Sequence, residues 1–247
     1  MVKMVEFKNE QGLMLRGFLH MPKDAKEIVV MLHGFTGNRT EHNGHFRTLS
    51  RMLEEIGVAS LRMDYDCNGE SDGEFRDFIF ENAVSDSKLM LKYAHEIEGI
   101  ERVYLLGFSM GGAIASLIAN DKDVYKLILW SPAGEMREHA HQHFDNAKVR
   151  TPNGDAYFLG FEFSKKFVDS IDKFDMYQNT KNYTNGVFIV QGSKDLSVDP
   201  RCSYRYKNEF ANSSIEIIDG AGHGYDAYEH LHKLYDLTIN YIQSTRK

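Results

Sequence analysis

Serine, aspartate and histidine occur in that order in settings suited to acyl transfer. Ser109 lies in Gly107-Phe108-Ser109-Met110-Gly111-Gly112, Asp195 in Gly192-Ser193-Lys194-Asp195, and His223 in Gly220-Ala221-Gly222-His223-Gly224. A serine hydroxyl is a poor nucleophile at neutral pH. An imidazole must take its proton, and a carboxylate must fix the tautomer of that imidazole. The pentapeptide Gly-x-Ser-x-Gly is weak by itself, because such strings occur in ordinary small-residue turns. Here the apolar run Val103 to Leu106 precedes it, and Ala113 to Asn120, of helical composition, follows it. A serine at the apex of such a strand-turn-helix is held on a strained backbone with its hydroxyl exposed. Ser109 is therefore the candidate nucleophile.

Asp195 follows the apolar run ending at Gly192, and His223 follows the alternating stretch Ser214 to Asp219. Two other carboxylates compete for the orienting role. Asp199, next to Pro200, reads as the cap of a following helix, and Asp219, ahead of the glycine loop, reads as a turn former. Asp195 is preferred to both. His223 is one of 11 histidines, of which His139, His141 and His143 form a cluster. A helix would put His139 and His143 on one face, as a zinc pair needs, but no carboxylate stands between them in the His-Glu-x-x-His manner. No metal is assigned, and no organic cofactor is required.

Acyl transfer also needs donors for the oxyanion of the tetrahedral intermediate. One is the backbone N–H of Met110, the residue after the nucleophile. The other is expected where Val29-Val30-Met31-Leu32 runs into His33-Gly34-Phe35-Thr36-Gly37, with the Phe35 N–H as donor.

The elements that must position these groups are legible as a rhythm. Val2 to Phe7 and Leu13 to His20 alternate and read as an antiparallel pair joined at Asn9 to Gly12. Unalternating apolar runs follow at Ile28 to Leu32, Val58 to Met63, Val103 to Leu106, Leu127 to Trp130 and Val187 to Val190, as in strands buried on both faces. Helices are predicted at Phe46 to Ile56, Asn82 to Glu96, Met110 to Asn120, Tyr204 to Phe210 and Ala227 to Gln243. Alternation of strands and helices predicts an α/β fold: a mostly parallel eight-stranded sheet with helices on both faces. Ala133 to Tyr183 breaks the rhythm, far exceeding the usual connection of about 2 to 6 residues. It is rich in aromatics and reads as a lid inserted into a single domain spanning 1–247, with most of its aromatics forming its own core. Gln142, Tyr157 and Tyr177 are its candidate substrate-binding residues.

With these segments in register, the chain resembles the α/β-hydrolases, whose order of nucleophile, acid and histidine it shares and which differs from the orders of the two large serine protease folds. The resemblance is strongest to the small bacterial cinnamoyl and feruloyl esterases. It is carried by His33-Gly34-Phe35-Thr36-Gly37-Asn38, Ile56 to Asp64, Gly69-Glu70-Ser71-Asp72-Gly73, the Ser109 turn and Leu129-Trp130-Ser131-Pro132-Ala133. The resemblance implies hydrolysis of a small ester through an acyl-enzyme. A monoacylglycerol lipase, a thioesterase or a peptidase would use the same triad, and a ligand-binding protein without turnover is the alternative from another class. Two departures stand out. Relatives commonly carry His before the nucleophile and Gln after it, where this chain has Phe108 and Met110, and Cys67-Asn68-Gly69 stands where relatives often show Gly-His-Gly.

Composition sets the outer bounds. A length of 247 residues suits one α/β domain, and 42% hydrophobic with 26% charged residues is ordinary for a soluble globular chain. A net charge of −7 argues against nucleic-acid or anionic-membrane partners. The first residues alternate and contain no long apolar stretch of the secretory kind, and two cysteines, Cys67 and Cys202, are too few for a disulfide framework. A cytoplasmic protein acting on a small-molecule ester is expected. No heptad or isolated apolar stripe points to an oligomeric state.

Overall fold

Runs of β-branched and aliphatic residues without polar interruption should form strands covered on both sides, and they do. A computed structural model describes residues 1–121 and 123–246. The chain opens with β1 (Val2–Lys8), β2 (Met14–His20) and β3 (Glu27–Leu32), followed by α1 (His45–Glu55) and β4 (Ala59–Met63). Next come α2 (Phe80–His95), β5 (Arg102–Phe108), α3 (Met110–Ile118) and β6 (Val124–Trp130). After an insertion containing α4 (Met136–Asp145), β7 (Ala156–Phe158), β8 (Phe161–Phe163) and α5 (Lys165–Ile171), the chain ends with β9 (Val187–Gly192), α6 (Pro200–Glu209), β10 (Ser213–Ile218) and α7 (Tyr228–Ser244).

The eight strands other than β7 and β8 form one sheet in the order β1-β2-β4-β3-β5-β6-β9-β10. β2 pairs antiparallel with both β1 and β4, and the remaining pairs are parallel. Every residue of β3 is buried. Its alternate side chains feed two cores: Ile28, Val30 and Leu32 pack on the side of α2, α3 and α6, while Val29 and Met31 pack on the side of α1 and α7. This is the α/β-hydrolase fold.

The strand order reverses at β3, which has β4 on one side and β5 on the other. Open α/β sheets bind ligands outside the carboxyl ends of their strands at such a switch point. The loops after β3 and β5, carrying Phe35 and Ser109, flank it.

Two differences from the sequence reading, at α6 and in the insertion, have clear causes. α6 begins at Pro200, four residues before the predicted start, because Asp199 caps it through Arg201 N–H and proline is tolerated in the first turn. α2 begins at Phe80, two residues early, and α3 ends at Ile118. The elements inside the insertion were not anticipated, because each is short: β7 and β8 form a hairpin of three residues per strand, and α5 has seven residues. No helix among the described residues is long and apolar enough to cross a membrane.

Trp130, at the carboxyl end of β6, is fully buried against Phe46 and Tyr235, and its Nε1–H donates to Thr238 Oγ1 at 3.0 Å. Thr238→Val fills the same space but leaves that donor unpaired, which should cost about 1–3 kcal/mol. Urea titration followed by the fluorescence of Trp130, the only tryptophan of the chain, reads this directly. A change under about 0.5 kcal/mol would show that the bond contributes little to stability.

Candidate active site

The turn from β5 to α3 is tight enough to exclude side chains two residues before and two residues after the serine. A Cβ on Gly107 would lie 2.1 Å from the Gly111 carbonyl oxygen, and one on Gly111 would lie 2.0 Å from that of Leu32. Ser109 adopts φ 55° and ψ −117°, a conformation that costs on the order of 1–3 kcal/mol in a residue with a side chain. Backbone bonds hold it there. Ser109 N–H donates to Trp130 O at 2.9 Å, and Ser109 O accepts from Gly112, Ala113 and Ala133.

The sheet brings the other two predicted residues to this hydroxyl. His223 Nε2 lies 3.0 Å from Ser109 Oγ, and His223 Nδ1 lies 2.7 Å from Asp195 Oδ2. The Asp195 side chain is fully buried. Burial alone would push its pKa up. The bond and charge of His223, with the amides of Val198 and Ser197 at 2.8 and 2.9 Å, outweigh that and hold it below the ordinary carboxylate value. Gln191 Nε2–H donates to the same Oδ2 at 3.0 Å, and Ser203 Oγ–H in turn fixes Gln191 Oε1 at 2.7 Å.

Both rival carboxylates are engaged elsewhere. Asp199 caps α6 and grips the Arg201 guanidinium, and Asp219 accepts from Ser193 Oγ at 2.9 Å. The predicted oxyanion donors border the serine. A Cβ on Gly34 would fall 3.3 Å from Ser109 Cβ, so the turn carrying Phe35 lies against it. Met110 is the first residue of α3, where amides have no partner within the helix. Two backbone N–H groups beside a serine in contact with an imidazole and a buried carboxylate are the parts needed to deprotonate an alcohol and stabilise a tetrahedral oxyanion.

These groups open into a cavity of about 1130 Å³. Phe158, Leu159, Phe163 and Phe167 of the insertion line it, with Phe35 and Met110 below. His139, Gln142 and His143 of α4 also face it, whereas His141 turns away and pairs with Asp172 at 2.8 Å. His143 rests on Phe158, and burial lowers its pKa from the ordinary value. Among the described residues, no group of three or more His, Cys, Asp or Glu side chains is placed to hold a metal.

Two of the three candidate substrate-binding residues fall outside the cavity. Tyr157 is 49% exposed, because neighbours on a strand face opposite ways and Phe158 takes the inward position. Tyr177 is buried against Tyr206, ring centroids 4.4 Å apart, beneath the Arg205 guanidinium. Gln142 does line the cavity. The sequence reading missed two supports. Phe108 stacks on the His223 ring at 4.9 Å, and buried Tyr225 bonds Ser131 Oγ at 2.8 Å and Val190 O at 3.2 Å. Position was the signal for both, each lying within two residues of a predicted site residue, and Phe108 also stands where relatives commonly carry histidine.

Fold and site together define an α/β-hydrolase with a serine-histidine-aspartate arrangement at the carboxyl edge of its sheet. The chain belongs to the serine aminopeptidase S33 family, whose pattern matches residues 23–153. It is 28% identical over 116 residues to monoglyceride lipase of Mus musculus, a match covering 43% of this chain and 35% of that protein. The alignment thus spans about a third of the lipase. A putative esterase/lipase 2 of Mycoplasma pneumoniae is 24% identical over 246 residues, covering 83% of this chain and 85% of that one. Among solved structures, Est1E from Butyrivibrio proteoclasticus with ferulic acid bound superposes with a TM-score of 0.86 at 25% identity, covering 98% of this chain and all of that one.

Because the Asp195 carboxyl is held below its ordinary value, it stabilises the fold above about pH 3.9, and that stabilisation is lost as pH falls through the lower, folded value. Asp195→Asn should therefore be less stable than the parent at pH 7, with the gap closing toward pH 3 in denaturant titrations. A gap that stays constant with pH would show that the ionised carboxylate is not what these donors hold.

Proposed function

We propose that the protein is a serine carboxylic-ester hydrolase acting through an acyl-enzyme on small hydroxycinnamoyl esters of the ferulate type. The observation that carries the reading is the contact chain from Ser109 through His223 to Asp195, at 3.0 and 2.7 Å, opening into a cavity walled by phenylalanines. Aromatic walls suit a planar phenolic acyl group. The structural likeness to Est1E, which holds ferulic acid, supports the same class of acyl group.

In the first half-reaction His223 Nε2 takes the Ser109 proton as Oγ attacks the ester carbonyl carbon. The carbonyl π electrons move onto oxygen, which the amides of Phe35 and Met110 receive. The intermediate collapses, the bond from carbon to the alkoxy oxygen breaks, and His223 gives its proton to the departing alcohol. Water then repeats the sequence on the acyl-enzyme, releasing the carboxylic acid and restoring Ser109. Asp195 holds the Nδ1–H tautomer and stabilises the imidazolium in both halves. The segment 133–183 serves as the lid that walls the acyl site.

A monoacylglycerol lipase is the second reading, favoured by the likeness to the mouse lipase and by the size of the cavity, about 1130 Å³. A matched panel separates the two: methyl ferulate, para-nitrophenyl esters of rising chain length, a monoacylglycerol and an acyl-coenzyme A, each beside Ser109→Ala. Ferulate should be preferred, and turnover should fall by roughly a thousandfold or more in the variant. Preference for longer chains would favour the lipase. Retention of most activity by Ser109→Ala would remove the serine from the mechanism, and failure of a fluorophosphonate to label the parent would indicate a binding protein without turnover.

A further inference from the structure

We propose that His45 is a positioning residue for His223, and that with His42 it forms a clasp between the segment carrying Phe35 and the loop carrying His223. The proposal rests on the ester-hydrolase reading above. His45, the first residue of α1, is 1% exposed, and its Nε2 lies 2.8 Å from the carbonyl oxygen of Gly224. A carbonyl only accepts, so Nε2 carries the proton, and the bond lands on the residue next to His223. The ring's other nitrogen, Nδ1, is buried without a partner. A buried acceptor left unpaired is unfavourable, a cost that a phenylalanine packed in the same place would avoid. The Nε2 bond is what distinguishes histidine there.

Three residues earlier a second pair grips the same loop. His42 Nε2–H donates to Asp226 Oδ1 at 2.6 Å, and Asn43 Nδ2–H reaches the same oxygen at 3.2 Å. A Cβ on Gly224 would lie 2.7 Å from His42 Nε2 and 2.8 Å from Asp226 Oδ2, so the loop runs directly against this pair. Residues 42–45 thus hold Gly224 and Asp226 from one side, while Ser131 and Val190 hold Tyr225 from the other. The clasp continues into the oxyanion turn, where Glu41 Oε2 accepts the Gly34 N–H at 2.6 Å and Glu41 Oε1 accepts the His42 N–H at 2.8 Å. One segment therefore sets both the oxyanion donor and the proton acceptor.

The surroundings of His45 disfavour its charged form. Burial lowers its pKa and the nearby His42 lowers it further, which outweighs the Gly224 bond, Glu41 and Asp226 acting in the other direction. Tyr235 and His232 of α7 complete its surroundings, Tyr235 lying edge-on to its ring at 6.3 Å and His232 against Tyr235. His45 should accordingly act through geometry.

His45→Phe keeps the ring and removes the donor, whereas His45→Gln returns an N–H near the position of Nε2. Per fluorophosphonate-titrated site, His45→Phe should lower kcat on methyl ferulate and para-nitrophenyl butyrate at least about tenfold with KM within about twofold, since small displacements of a reacting group carry large rate penalties. The labelling rate of Ser109 should fall in parallel, and His45→Gln should recover most of both. Unchanged kcat per titrated site in folded His45→Phe, or a folded Gln variant no better than Phe, would overturn the proposal. If the parent turns over neither ester yet labels Ser109 at a rate that His45→Phe lowers, the clasp stands and the ester reading fails. If His45→Phe does not fold, Asp226→Ala, at an exposed position, removes the acceptor of the second pair and gives the second measurement: slower labelling supports the clasp, and the parental rate overturns it.

Discussion

The backbone of Ser109 is the constraint on which the site depends. A serine at φ 55° is unfavourable in isolation, and it persists because β5 and α3 meet it from both sides at distances that only glycine permits. That approach aims the hydroxyl out of the carboxyl edge of the sheet and leaves the Met110 amide uncommitted at a helix start. It also draws β6 into the arrangement, since Ser109 bonds both Trp130 and Ala133. The parallel pairing of β5 and β6 is thus continued past the strand ends by bonds to the serine itself.

Around that turn, the polar side chains are held by groups from neighbouring strands. Asp195 is buried, and an unpaired carboxylate there would be strongly disfavoured. His223, Gln191 and the amides of Ser197 and Val198 supply the donors, Gln191 from β9 and the two amides from the connection between β9 and α6. Tyr225 does the equivalent for the histidine loop by bonding Ser131 beyond β6 and Val190 within β9. Phe108 covers one face of the imidazole. The position before the serine, where histidine is common among cinnamoyl esterases, thereby gives His223 an apolar floor.

Much of this could be read from residues alone. The five unalternating apolar runs announced the buried strands, since a strand covered on both faces has no use for alternation. Ser109 and Asp195 could be picked out because each follows such a run, and His223 because it follows an alternating strand, all three in glycine-rich or turn-rich settings, and the fold brings strand ends together. The insertion was legible only as an interruption. Its elements are too short for periodicity to show, and a slip of one residue on β7 exchanges a cavity-facing Phe158 for an exposed Tyr157. The supporting partners were hidden for other reasons: Tyr225 reaches Ser131 and Val190 from a distant segment, while Gln191 and Glu41, though near Asp195 and Gly34 in the chain, carry no pattern that marks their side chains as donor and acceptor to them.

The aromatic residues of the insertion tie its packing to the site. Phe163 and Phe167 are buried as part of the core that the insertion shares with the sheet, and both rings also line the cavity. Each packs on the Phe35 ring, at 5.4 and 5.0 Å, and Phe35 is the residue whose amide is the proposed second oxyanion donor. Phe75, from the loop after β4, closes the group at 5.5 Å from Phe35. The wall of the cavity and the residue carrying the proposed oxyanion donor are therefore one cluster. Protein interiors are packed too densely for such rings to move independently. A substitution in the wall is consequently felt at Phe35, so the packing of the cavity wall and the placement of the proposed oxyanion donor are not separable.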